Sequence, residues 1–240
     1  MRKYIWIALV LPIFLSSCHW FWGRRVTGNG NIKTEERSVS SFKNVHAAGS
    51  VKLYVSQGDQ KPVKIEADEN LLQYIEVIQD GNSITIRNKQ GFNLHPSRDI
   101  KIYVTAPLYN QIEVSGASDI IGEGKISNSE NLELNASGAG NIDMDVDAPK
   151  LSAEITGSGT MKIKGQTKDA DLNLTGAADA HCFDLMSENM KVDISGAGSA
   201  EVFASVKLEA DVSGAGSVKY KGNAAVSQHV SGAGSVSKEN

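Results

Sequence analysis

Seven side chains recur three residues before a glycine: Glu113, Asn135, Glu154, Asn173, Asp193, Asp211 and His229. Stacked in register at about 4.8 Å, they form a ladder of carboxylates and amides. Neighbouring carboxylates repel, which favours a cation or a basic partner. Glu113, Glu154, Asp193 and Asp211 are therefore candidate ligands for a cation such as Ca²⁺. Two residues further on stand Ser115, Ser137, Thr156, Thr175, Ser195, Ser213 and Ser231. Hydroxyls at that place suit bonds to the turn backbone, or contact with a glycan. Paired carboxylates such as Asp143, Asp145 and Asp147 would suit glycoside chemistry, but they repeat along the chain instead of converging. His19, His46, His95, His181 and His229 show no metal-ligand spacing, and neither H-E-x-x-H nor G-x-S-x-G occurs. The residues point to no catalytic site, no resident metal and no cofactor.

The elements that carry these ladders follow from a repeat. Ser-Gly-Ala-Gly or a close variant recurs with its first glycine at Gly116, Gly138, Gly157, Gly176, Gly196, Gly214 and Gly232. A period near twenty residues is the mark of a solenoid, whose units bury their apolar faces only by stacking. Two residues before the glycine stand Val114, Ala136, Ile155, Leu174, Ile194, Val212 and Val230; four after it stand Ile120, Ile142, Met161, Ala180, Ala200, Val218 and Val236. This alternation predicts strands on both sides of a glycine turn. The expected fold is all-β: a right-handed parallel β-helix with coils of 18–22 residues. A second turn is expected at Gly122–Gly124, Gly165, Gly222 and Asp147-Ala-Pro149, with a loop at Met186–Met190. Cys182 falls in an inward column and reads as a buried, inert thiol.

Residues 28–110 are less regular and read as a β-rich unit that caps the solenoid of residues 111–240. Asp80-Gly81-Asn82 predicts a hairpin turn. Asp68–Tyr74 has an acidic start and predicts a short helix. Ala48-Gly49-Ser50-Val51 echoes Ala215-Gly216-Ser217-Val218, which suggests an earlier, degraded repeat.

The N-terminus carries Arg2 and Lys3, an apolar run from Ile5 to Leu15, and Leu15-Ser16-Ser17-Cys18. The run is too short to span a membrane stably. Its end resembles the lipobox of bacterial lipoproteins. That resemblance implies a signal peptide over residues 1–17, acylation of Cys18, and a tether over residues 18–27 bearing Trp20, Phe21, Trp22, Arg24 and Arg25. The expected location is the cell envelope, as an outer-membrane lipoprotein on its periplasmic or surface side. Loss of residues 1–17 takes the formal charge from −4 to −6, which argues against nucleic acid as a partner. Few residues follow the last turn, so the final coil is expected to be shielded either by the Lys238-Glu239 charges and its own twist or by a second subunit, in a dimer or trimer.

Gly28-Asn-Gly30, Glu36-Arg37-Ser-Val39, Val55-Ser-Gln-Gly-Asp59, Ala67-Asp-Glu-Asn-Leu71, Val104-Thr-Ala-Pro107 and the Ser-Gly-Ala-Gly series resemble the autotransporter-adhesin head GIN domain proteins, common as lipoproteins in Bacteroidetes. The resemblance covers residues 26–237. It implies a β-helical fold, an adhesive role and no catalytic residues. The function expected is a non-enzymatic envelope lipoprotein that binds a glycan or an envelope protein, or acts as a scaffold, through its repeated faces. The alternative is a carbohydrate-active enzyme of the polysaccharide lyase or glycosidase kind.

Overall fold

The computed structural model describes residues 23–239. The proposed signal peptide, Cys18 and residues 19–22 of the tether lie outside them. The architecture is an all-β solenoid with a β-rich N-terminal part. Each coil places one strand before its glycine turn and another after it, so two parallel columns run along the molecule.

The first column stacks β3 (Asn44–Gly49), β10 (Gln111–Gly116), β12 (Asn131–Gly138), two segments of β13 (Ile142–Cys182), then β14 (Leu185–Gly196), β16 (Lys207–Gly214) and β18 (Ala225–Gly232). The second contains β4 (Val51–Gln57), β11 (Asp119–Ser127), β13 again, β15 (Ser199–Phe203), β17 (Ser217–Lys221) and β19 (Ser235–Lys238). Alternate residues point inward, and Ile112, Leu134, Ile155, Leu174, Ile194 and Val212 are all buried. Burial of each such side chain contributes about 1.5–3 kcal/mol relative to exposure.

Backbone packing at the corner dictates the glycine phrase. The seven first glycines have φ between +95° and +130°. A Cβ on Gly196 would collide with the carbonyl oxygen of Gly176 in the preceding coil, and the same clash recurs from Gly116 to Gly232. That oxygen is engaged: Gly176 accepts the Ala197 amide at 2.8 Å, as Gly116 accepts Ala139 at 2.9 Å. The residue after the phrase stitches the corner from outside. Asp119 Oδ1 accepts the Asn141 amide at 3.0 Å, and Asn141 Oδ1 accepts the Thr160 amide at 2.9 Å.

The solenoid starts earlier than residue 111. β3 pairs with β10 so that Gly49 stands opposite Gly116. The echo at residues 48–51 is thus offset by two: Gly49 corresponds to the first glycine of the phrase, not the second. A further coil, β7 (Ser83–Asn88) and β9 (Ile100–Ala106), stacks on the far side of β3 and β4. Spatial order therefore departs from chain order. The chain steps back past the β3–β4 coil at Tyr109, whose buried hydroxyl donates to the carbonyls of Ser56 at 2.9 Å and Val104 at 3.2 Å.

Antiparallel strands close this end. β6 (Ile75–Asp80) forms the expected hairpin with β7, while β5 (Val63–Asp68) and β2 (Ile32–Arg37) extend the second column. β1 (Arg24–Thr27) pairs with β8 (Phe92–His95) in a separate parallel ribbon. The helix expected over Asp68–Tyr74 is reduced to a 3-10 turn at Leu72–Tyr74. Asp68 ends β5 as a fully buried carboxylate. Its oxygens accept the Gly30 amide at 2.7 Å, the Ser97 amide at 2.9 Å and the Ser97 hydroxyl at 2.6 Å. Those bonds hold the N-terminal segment to the cap.

Two of the expected corner segments stay within the sheet. Met186–Met190 lies within β14, with Ser187 opposite Thr167 and buried. Its hydroxyl donates to the Phe203 carbonyl at 2.5 Å, so the corner stays in the ladder. Pro149 likewise lies within β13, whose 41 residues bend through successive corners without leaving the sheet. At the other end, β18 is exposed along its length, with Val226 and Val230 39% and 37% exposed.

Two stability outcomes follow. Gly196→Val should cost about 3 kcal/mol or more, since strain at positive φ adds to the carbonyl clash. Gly91→Ala, also at positive φ but facing open space, should cost only about 1–2 kcal/mol. Equal losses in urea melts would remove the stacked carbonyl from the explanation. Asp68→Ala strands three donors and should cost about 3 kcal/mol. Burial pushes the Asp68 carboxyl up, but its bonds from Ser97 and Gly30 outweigh that and hold its pKa below the ordinary value. The Asp68 contribution is therefore complete above the unfolded value of about 3.9 and is lost as pH falls through the folded value. The wild type should lose more stability than Asp68→Asn on going from neutral pH into that acidic range; parallel pH profiles would contradict this.

Candidate binding face

The outward side of the first column carries three lines of polar side chains. In the middle line, His46, Glu113, Asn135 and Glu154 follow one another in register, as do Asn173, Asp193, Asp211 and His229. Amides separate the acids except at Asp193 and Asp211, and a histidine stands at each end. His46 Nδ1 lies 3.3 Å from Glu113, and Lys191 Nζ lies 2.6 Å from Asp193. The ladder thus relieves much of its own repulsion. Among the described residues no group of three or more His, Cys, Asp or Glu is arranged to hold a metal ion.

A second line was not singled out in the sequence. Asp171, Lys191 and Glu209 stand opposite one another with alternating charge. Asp193 holds Lys191 upright, and this raises the lysine's pKa through their hydrogen bond. The signal was available: residues two apart in a strand share a face, so Lys191-Val192-Asp193 reads as an outward pair around a buried valine.

The third line is the hydroxyl ladder. The sequence suggested bonds from these hydroxyls to the turn backbone. Thr156 instead donates to Glu154 at 2.8 Å, and the corner amides are taken by backbone carbonyls and by the residue after the phrase. Thr175, Ser195, Ser213 and Ser231 are exposed, and among the described residues none makes a side-chain hydrogen bond. Between them and the middle line runs an open groove of about 280 Å³, bordered by Asn173, Asp193 and Asp211 on one side and Thr175, Ser195 and Ser213 on the other. It offers acceptors, amide groups and free hydroxyls at regular steps, which suits a ligand rich in hydroxyls.

Asp143, Asp145 and Asp147 alternate with the buried Ile142, Met144 and Val146. They lie along one strand face instead of across a cleft, which is not the geometry of a glycosidase pair. Cys182 is fully buried, and burial pushes its thiol up to about 12.

A family model described as "Putative auto-transporter adhesin, head GIN domain" matches residues 41–224. The chain belongs to that family. Three solved structures share the fold of this head GIN domain. A "putative adhesin" from Bacteroides fragilis has a TM-score of 0.84 at 24% identity, covering 89% of this chain and 100% of its own. A "putative adhesin" from Parabacteroides distasonis has a TM-score of 0.73 at 25% identity, covering 90% and 100%. A "Putative lipid binding protein" from the same species has a TM-score of 0.70 at 22% identity, with the same coverages. Among curated proteins no match is found. The family and two of these neighbours are described as adhesins, the third as lipid-binding, and none as an enzyme.

Neighbouring positions on this column should behave oppositely. Ile194 is 2% exposed and Asp193 faces out. Ile194→Asp should cost about 4 kcal/mol or more by burying a charge between coils. Asp193→Ala loses only a surface pair and should cost about 1 kcal/mol or less. Similar melting temperatures for the two variants would contradict the alternation.

Proposed function

We propose that this protein is a non-enzymatic adhesion module of the cell envelope, held to the outer membrane by acyl chains on Cys18. In this reading the groove beside the hydroxyl ladder is its binding face and a glycan is its ligand class. The observation that carries the reading is the row of exposed, unbonded hydroxyls beside carboxylates and amides, repeated coil after coil on one face. Sugars present hydroxyls of both donor and acceptor character, and a periodic row matches a polymer better than a single small molecule. The linear placement of the acidic residues favours binding over the lyase or glycosidase alternative. Self-association through the exposed β18 edge is also part of the proposal, because uncovered strand edges recruit further strands.

Two measurements test it. Cys18→Ala should release the protein from the membrane fraction or leave the precursor uncleaved; unchanged fractionation with no acyl group on the wild type would contradict the anchor. Binding to plates coated with mucin and with lipopolysaccharide should fall at least about tenfold in Ser195→Ala/Ser213→Ala/Ser231→Ala, given about 0.5–1.5 kcal/mol per hydrogen bond. Unchanged binding by this variant to a coat that retains the wild type would move the site to another face. Retention of the wild type on neither coat would count against glycans of these kinds.

A further inference from the structure

The charges of this chain are divided along its axis. Residues 24–110 hold 12 Lys and Arg against 9 Asp and Glu, a net +3. Residues 111–239 hold 10 Lys against 19 Asp and Glu, a net −9. Among the described residues, the acids nearest the N-terminal ribbon are already engaged. Glu69 pairs with Lys33, Glu76 lies 3.4 Å from Arg87, and Asp68 is buried in its own hydrogen bonds. Arg24, Arg25, Lys89 and Arg98 are exposed and have no ion-pair partner among the described residues. Arg24 and Lys89 flank a single turn: the Arg24 amide donates to Gly91 at 2.7 Å and the Phe92 amide to Lys89 at 3.1 Å. Beside them, the half-buried Phe92 packs on Tyr74 with ring centroids 4.5 Å apart.

We infer that this basic end, built by β1, β8 and the turn at Lys89–Phe92, docks on an anionic lipid surface and stands the solenoid end-on to the membrane. The inference rests on the envelope reading above and adds an orientation to it. Arg24 lies six Cα steps from Cys18, a reach of at most about 20 Å when extended, so an acyl anchor keeps this end near the headgroups. Cations close to an anionic surface gain energy that falls off within a Debye length. The net −9 of the coils is repelled by the same surface. Both effects turn the axis away from the bilayer. From Gly49 to Gly232 the corner glycines make seven steps of about 4.8 Å, which carries the last coil about 34 Å beyond the β3–β4 coil.

The test uses residues 18–240 with Cys18→Ser, which contain the whole described fold and no acyl chain. They are mixed with phosphatidylcholine vesicles made with and without phosphatidylglycerol. Sedimentation should show a preference of about a hundredfold for the anionic vesicles at low salt, at roughly fivefold per basic residue for three residues. R24E/R25E/K89E, with an unchanged melting temperature, should abolish that preference. K162E/K164E, on the coils, should leave it intact. Equal partition of the wild type between the two vesicles, or a preference that survives the triple reversal, would overturn the docking. Orientation is read by energy transfer to a headgroup acceptor from dyes on N93C and S237C; Cys182 is buried and stays unlabelled. Stronger transfer from N93C supports the end-on arrangement, and equal transfer from the two sites overturns it. Failure of the lipid anchor would show separately, as an unacylated Cys18 in protein purified from membranes.

Discussion

Everything in this fold depends on the place of one carbonyl group. At each corner the oxygen of a glycine lies where the next coil's glycine would carry its Cβ. The same oxygen accepts an amide from that coil. Coils can therefore approach at sheet distance while the backbone turns, and only glycine permits both together. From this contact follow the period, the two parallel columns and the register. Register in turn decides the surface: because coils align residue on residue, any side chain type repeated in the sequence becomes a line in space. The binding face is a consequence of the corner.

The two ends of the molecule are built on different principles. At the N-terminal end the columns close with antiparallel strands, a 3-10 turn and a buried carboxylate. Asp68 satisfies three donors from two places that repetition alone would not bring together. Tyr109 bridges carbonyls from two coils at the point where the chain steps back over itself. This end is locally irregular because it must stop a repeating structure, and a stop requires side chains used only once. Its basic surface and the acidic coils then give the rod an electrostatic direction as well as a structural one.

The sequence made the repeating part legible and the unique part obscure, for one reason. Periodicity amplifies weak local signals: a single Ser-Gly-Ala-Gly means little, but seven copies or close variants at near-constant spacing fix strand, turn and face together. Ile194 and Asp193 could be assigned inside and outside from that pattern alone. Irregular elements have no such amplification. The acidic start at Asp68 resembles a helix N-terminus, whereas its carboxylate actually caps distant amides at Gly30 and Ser97. The β7–β9 coil lies out of chain order, and its long-range pairing with β3 and β4 reveals it. The Met186–Met190 segment looked like a loop because its polar Ser187 breaks the apolar column, yet that hydroxyl is satisfied by the Phe203 carbonyl inside the corner. Whether a ladder hydroxyl is free or bonded also depended on competition for corner amides, which no single repeat discloses.

The central claim is that the corner bonds belong to the core and do not fray like surface turns. Native-state hydrogen exchange at Ala139, Ala197 and Ala215, whose amides donate to Gly116, Gly176 and Gly196, tests this most directly. The account predicts that these amides exchange as slowly as those of Leu172 and Val192 in the adjacent strands, through the same cooperative opening. Exchange as fast as at the exposed turn of Gly81 and Asn82, with the strands still protected, would contradict it.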